Sequence, residues 1–402
     1  MMIPNKFLGA LAPELRLMLA CATQDVVRSK AEEIEAFLAQ SLDWELFLRC
    51  AIQHRVYPLV YKTLSNIPNP LIPATILAAL RGKYRENALQ ALRMAGETAR
   101  VVGSLKENDV RTVVIKGLPL AQLLYGDVTL RPSHDVDLLV WPDNLAVAGL
   151  ILEKQGYRRI YPKMPLTSRL MRFLIKKDHH FSYCHEQTGL LLELHWRLDH
   201  CGVELPLPEQ KNLTTVKLAG KEMPVLAAEE EFLSLVLHGA GHSWFRLRWL
   251  CDIGKFLEQE LNWEKLIGLA TQFGVITHLN QALLLADQLL TAPLPNDYRL
   301  TLVTDRRAWR LALQVVPFLQ KADYNPDDLN RRRDWRLFAL RKKYDYQIRV
   351  GWKSRFGYVW NHFKPPEADL QLVSLPDIFY PLYYLIRPFT WLGRHVFKKF
   401  KS

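Results

Sequence analysis

The sequence predicts an α+β protein, with a small mixed-sheet core flanked by N-terminal and C-terminal helical regions. Three observations carry this expectation. Residues from about 12 to 95 repeat apolar positions at a helical spacing. Between about 110 and 200, short β-branched runs alternate with Gly and Pro punctuation. After Pro224 the helical spacing returns. At 402 residues the chain exceeds one minimal core. The changes of texture divide it into a helical region at 1–98, an α/β core at 99–205, a helical domain at 206–325 and a basic, aromatic-rich tail at 326–402.

In the first region, "SLDWELFLRCAIQHRVYPLVYKTL" sets Trp44, Phe47, Leu48 and Ala51 on one stripe. Ser41 or Asp43 suits the N-cap, and Pro58 interrupts or restarts the pattern. The Ala- and Leu-rich stretch "NPLIPATILAALRGKYRENALQALRMAGETARVVGSLKEN" predicts two helices, the second ending at a turn at Asn108-Asp109. "VRTVVIKG" then reads as a strand ending at Gly117, and "LPLAQLLYG" as a short helix that tolerates Pro119 in its first turn. "HDVDLLVW" is a second strand, followed by a helix from Pro142 to about Gln155 and a further segment in "GYRRIY". "HHFSYCHEQTGLLLELHWRL" predicts a hairpin turning at Glu186 to Gly189. Beyond Pro224, "AAEEEFLSLVLHGAGHSWFRLRWLCDIGKFLEQE" opens with an acidic turn that complements the helix dipole, and more helices run to about Leu319.

Composition narrows the class. With 49% hydrophobic and 23% charged residues the chain is expected to fold as an ordinary globular protein. Its five cysteines are odd in number, scattered and unpaired in spacing, which favours reduced thiols over a disulfide framework. Pro13, Glu14 and Arg16 break the N-terminal apolar run, so a signal peptide is rejected. No window offers the roughly 18 uninterrupted apolar residues of a spanning helix, and a cytoplasmic protein is expected. The net charge of +12 is uneven: from Arg331 to Ser402 there are 16 Lys/Arg against 5 Asp/Glu, and the rest of the chain is nearly balanced.

The chemistry concentrates in "LRPSHDVDLLV". Asp135 and Asp137 stand two apart on a strand, so they project to one face roughly 6–7 Å from each other. Buried there unpaired they would be costly, which leaves solvent, basic partners or a bound cation. Magnesium is the natural cation, because it prefers a few hard carboxylate oxygens and completes its shell with water and phosphate. Glu193 lies in the apolar strand "LLLELHWRL", where an acid is otherwise out of place, unless it pairs with Arg197 or faces solvent. Three carboxylates on adjacent strands can hold two metal ions and support in-line displacement at phosphorus. Gly117, where a strand turns into a helix, offers an anion site beside the charge of Lys116. Arg131 leads directly into the Asp135 strand and is a further phosphate candidate.

The combination "VVIKGLPLAQLLYGDVTLRPSHDVDLLV", "LLLELHW" and "HGAGHSWFRLRWLCDI", with "LDWELFLRCAIQHRVYPLVYKTL" upstream, resembles the bacterial uncharacterised nucleotidyltransferase family of the DNA polymerase β-like superfamily. The likeness runs over about residues 40 to 260. It implies a nucleotidyltransferase core with magnesium on Asp135 and Asp137, Glu193 as third acid, and a triphosphate against Gly117 and its neighbours. The wider superfamily usually carries Gly-Ser or Gly-Gly at this turn, where this chain has Lys116-Gly117-Leu118. The implied reaction moves a nucleoside monophosphate from an NTP such as ATP to an acceptor hydroxyl, on a small molecule, glycan precursor or protein. Members of that family often lie near polysaccharide or secondary-metabolite genes, so the resemblance implies a reaction class, with polysaccharide biosynthesis as one setting, and not a substrate.

Other features carry plainer readings. His134 or His195 is placed to assist proton transfer, though support of the metal-binding acids is the commoner role. His238 and His242 share a helix face but lack the glutamate of a zinc-protease motif, and are expected to pack where the helical domain meets the cleft. Arg246 or Arg248 is expected to pair with Asp252. "VVIKG" is not a kinase strand, since no Gly-rich loop precedes it. The tail fits a packed helix with a basic face, peripheral membrane contact, or a nucleic-acid surface. Basic charge remote from the aspartates disfavours an RNA-directed enzyme, and the retained acids disfavour an inactive scaffold.

Overall fold

The computed structural model describes residues 7, 9, 11–23, 28–163, 171, 174–176, 178–322, 324, 334–361 and 382–396. Much of the tail, including 362–381 and 397–402, therefore lies outside the described residues. The chain is α+β, as the alternation of textures predicts.

Four short helices come first: α1 (Pro13–Ala22), α2 (Arg28–Leu38), α3 (Trp44–Gln53) and α4 (Tyr57–Ser65). Asp43 caps α3 by accepting from the Leu46 N–H, and Pro58 occupies the first turn of α4, where its missing N–H costs nothing. Next, α5 (Ala74–Glu107) is one unbroken helix of 34 residues, not the two helices expected for this stretch. Gly82, Gly96 and Gly103 each weaken a helix by about 1 kcal/mol. The buried stripe from Ile76 through Met94 and Val101 to Leu105 offsets that by packing along its length.

The core sheet has five strands: β1 (Thr112–Val114), β2 (Asp135–Val140), β3 (Tyr157–Tyr161), β4 (His180–His185) and β5 (Leu191–His195), in the order β1-β2-β5-β4-β3. Only β2 and β5 run parallel; the other neighbours are antiparallel. Between the first strands lies α6 (Gly117–Tyr125), and α7 (Leu145–Lys154) connects β2 to β3. The expected hairpin is β4–β5, with Gly189 at φ 70° in its turn. Two small hairpins follow, β6 (Leu198–His200) with β7 (Val203–Leu205), and β8 (Thr214–Leu218) with β9 (Lys221–Val225).

The helical layer begins with α8 (Ala228–Gly241) and α9 (Leu247–Leu257), then α10 (Trp263–Gln272), α11 (Ile276–Leu290), α12 (Asn296–Thr304), α13 (Arg306–Leu313) and α14 (Val316–Gln320). Three more helices are α15 (Trp335–Gln347), α16 (Gly351–Asn361) and α17 (Leu382–Val396). Two apolar cores result. One joins α5 and α7 to a single face of the sheet; the larger joins the N-terminal helices to the helices after β9. The sheet's second face looks towards α8 and α9, and there the site forms. No described helix is long and apolar enough to cross a membrane.

Candidate active site

Strand alternation builds the site. Val136, Leu138 and Val140 of β2, Leu192 and Leu194 of β5, and Phe181 and Tyr183 of β4 all enter the core shared with α5 and α7. A period of two then turns Asp135, Asp137, Glu193, His195, His180 and Ser182 to the opposite face. Register aligns them. Asp137 sits opposite Glu193 across the parallel pair, Ser182 lies beyond Glu193, and His180 lies opposite His195. All of these except Ser182 line a cavity of about 520 Å³, which His238, His242, Arg246 and Arg248 line as well.

At the centre, the His195 Nε2 lies 3.0 Å from the Asp137 Oδ1 and 3.2 Å from the Glu193 Oε2. Asp137, Glu193 and His195 each offer a ligand atom within 4.8 Å of the others. Asp135 lines the same cavity outside that close trio. The expected set of three carboxylates is therefore two carboxylates and an imidazole at closest approach. Asp135 is one strand repeat away, paired with Leu191, and so stands at the edge. Glu193 does not pair with Arg197, which is 3.6 Å from Glu204 instead; the His180 Nε2 is 3.6 Å from Glu193.

The charges are strained against one another. Burial pushes the Asp135 carboxyl up to about 6, reinforced by the neighbouring Asp137 and Glu193 charges. Burial also opposes ionisation of Asp137, but the His195 hydrogen bond and the Lys116 charge outweigh it and hold the carboxyl at about 2. Burial lowers the His195 imidazole less than its two carboxylate partners raise it, so its net shift is upward. Burial lowers His179 to about 3 and His134 to about 4, leaving both rings neutral near pH 7.

At the strand–helix turn, Lys116 and Gly117 have φ of 55° and 53°. The ψ of −138° at Lys116 is a conformation in which glycine is the usual occupant. The Lys116 N–H donates to the Glu231 Oε1 at 3.2 Å, so this amide is committed to α8 rather than left for an anion. Arg131 is the buried partner of Asp252, in place of the expected Arg246 or Arg248, with its Nη2 at 2.9 Å from Oδ2 and its Nε at 3.0 Å from both oxygens. Its Nη1 donates to the Gly117 carbonyl at 3.1 Å, which ties the turn to α9. Arg248 donates to the Pro132 carbonyl, and Arg246 lies over the Phe245 ring.

Arg55, Arg131, Arg246 and Arg248 line the same cavity as the carboxylates. Burial lowers Arg55 to about 10 and Arg248 well below its ordinary value, with neighbouring guanidiniums adding to both shifts. His238 and His242 pack as expected at the cleft, their rings 4.7 Å apart and His242 stacked on Trp249 at 5.1 Å. Sequence reading missed Arg55, His179, His180 and His200, which also line the cavity. Only the adjacent histidines at the entry to β4 left a signal, because two imidazoles rarely lead into a strand of an apolar core. The donor set fits a hard divalent cation: Asp135, Asp137 and Glu193 stand on one face of adjacent strands and line the same cavity.

Residues 40–291 match the model of a protein family described as uncharacterised nucleotidyltransferase. No curated protein matches the chain. Among solved structures, the antibiotic-resistance factor ANT(2'')-Ia is similar at 15% identity and TM-score 0.34, over 46% of this chain and 92% of that one. The lincosamide antibiotic adenylyltransferase LnuA, solved with lincomycin bound, has 16% identity and TM-score 0.25, over 34% and 83%. An antigenic nucleotidyltransferase-like protein from Paracoccidioides brasiliensis has 15% identity and TM-score 0.29, over 53% and 96%.

Proposed function

The chain belongs to the uncharacterised nucleotidyltransferase family, and we propose that at this cavity it moves a nucleoside monophosphate from an NTP to an acceptor hydroxyl in a magnesium-dependent reaction. The acceptor class is a small molecule, a glycan precursor or a protein. One observation above all supports this reading: carboxylates and guanidiniums line one cavity, each set crowded with its own sign. A cation carried by a polyanion relieves both.

In the reaction the acceptor oxygen bonds to the α-phosphorus, the α–β anhydride bond breaks, and pyrophosphate leaves with the electron pair. Asp135, Asp137 and Glu193 are the residues that would hold magnesium, which when bound supplies neutralisation of triphosphate charge. Lys116, Arg55 and Arg248 bind the departing phosphates. Arg131 acts through Gly117, holding the turn in place by its bond to the carbonyl. Glu193, half-exposed to the cavity, takes the hydroxyl proton. His195 orients Asp137 and Glu193 through its two short contacts.

The test is calorimetric binding of each NTP with and without magnesium, followed by label transfer from α-labelled NTP to small molecules and proteins of a cell extract. Wild type should bind at least one NTP only with magnesium, and Asp135→Asn/Asp137→Asn should bind none. A folded wild-type protein that binds no NTP under either condition overturns the reading.

A further inference from the structure

The donors beside the carboxylates are of a different chemistry. His179 immediately precedes β4, His180 opens it, and His195 closes β5 directly opposite His180. Their rings are 4.6, 5.1 and 5.8 Å apart, centre to centre, and each offers a nitrogen within 4.8 Å of the other two. Tetrahedral ligation at about 2.0–2.1 Å needs nitrogens closer than this, a change within reach of side-chain rotation. The His180 Nδ1 is buried without a hydrogen-bond partner. A buried imidazole nitrogen left unpaired is costly unless something else satisfies it. The trio opens on the cavity, so an ion can reach it.

Magnesium does not suit this set. It binds oxygen and sheds its water reluctantly, whereas imidazole selects late first-row metals. We propose that His179, His180 and His195 form a second cation position beside the carboxylates, which takes a late first-row divalent ion such as zinc or cobalt(II) in preference to magnesium. Three protein nitrogens leave the remaining coordination open towards the cavity, beside Asp137 at 3.0 Å from the His195 Nε2 and Glu193 at 3.6 Å from the His180 Nε2. His195 belongs to both the imidazole trio and the Asp137–Glu193 trio, so the two positions share a side chain.

The experiment uses the full chain, stripped with chelator and titrated with cobalt(II) chloride in excess magnesium and without nucleotide. One equivalent should bind, giving visible ligand-field bands that zinc displaces one for one. His179→Gln and His180→Gln should each weaken cobalt binding by about 100-fold or more, at the top of or beyond the range for losing an outer partner. The proposal is overturned if wild type takes up no cobalt, if magnesium displaces it, or if both glutamine variants bind as tightly as wild type. The wild-type titration decides even where a variant does not fold, and the absence of nucleotide keeps the result separate from nucleotidyl transfer.

Discussion

At the scale of single residues, two positions hold energy that the fold supplies for the site. Lys116 sits at φ 55° and ψ −138°, where a side chain costs about 1–3 kcal/mol. Lys116→Gly should therefore raise stability by about 1 kcal/mol in urea unfolding while weakening NTP binding. Lys116→Met should weaken binding with no gain in stability. Glu231 is the second position. Burial raises its carboxyl to about 7, and the Lys116 charge with the Lys116 N–H offsets this only in part. A raised acid stabilises fully below its ordinary value of 4.5, and that contribution is lost as pH rises through about 7. Stability should thus fall by about 3 kcal/mol across that window from this group. Glu231→Gln should flatten the profile, as a urea series between pH 4 and 8 (roughly one measurement per half unit) would show.

At the scale of elements, the Arg131–Asp252 pair couples the turn before α6 to α9. Both side chains are essentially buried, at 3% and 0% exposure, and the Tyr125 hydroxyl also donates to Asp252 at 3.1 Å. Breaking such a pair strands a charge and costs about 3–5 kcal/mol, whereas replacing both partners by apolar groups is often close to neutral. Arg131→Met or Asp252→Leu alone should be strongly destabilising, and the double variant should recover much of the loss. Transfer activity should stay low in the double variant, because the Gly117 carbonyl has lost its donor. A double-mutant cycle in thermal unfolding, read beside NTP affinity, separates the two effects.

At the scale of the whole molecule, the cavity lies between two separately cored layers, with acids on the sheet side and arginines contributed by α9, by the loop before it and by the α3–α4 connection. A ligand that contacts both layers binds only the folded arrangement. Magnesium with a non-hydrolysable NTP should therefore stabilise the protein by about 2.7 kcal/mol at 100 times the Kd, an upward shift in thermal midpoint. Neither Asp137→Asn nor Arg248→Met should show that shift, although one stands on the sheet and the other on α9.

Periodicity alone determined which residues share a face. Asp135 with Asp137, and Glu193 with His195, follow from strand alternation, and the apolar residues between them name the core side. Local chemistry likewise narrowed the cap of α3 to Ser41 or Asp43, marked the break at Pro58 and placed the turn ending at Gly189, because each depends on neighbours within a few residues. The tertiary structure alone decided that β2 and β5 are parallel neighbours, that Asp252 belongs to Arg131, and that Arg55 reaches the cavity. It also decided that three histidines meet beside the acids. These facts join residues far apart in the chain, such as Arg131 and Asp252, which are 121 positions apart. No local pattern encodes such pairings, since the free energy that selects them comes from burying both partners at once.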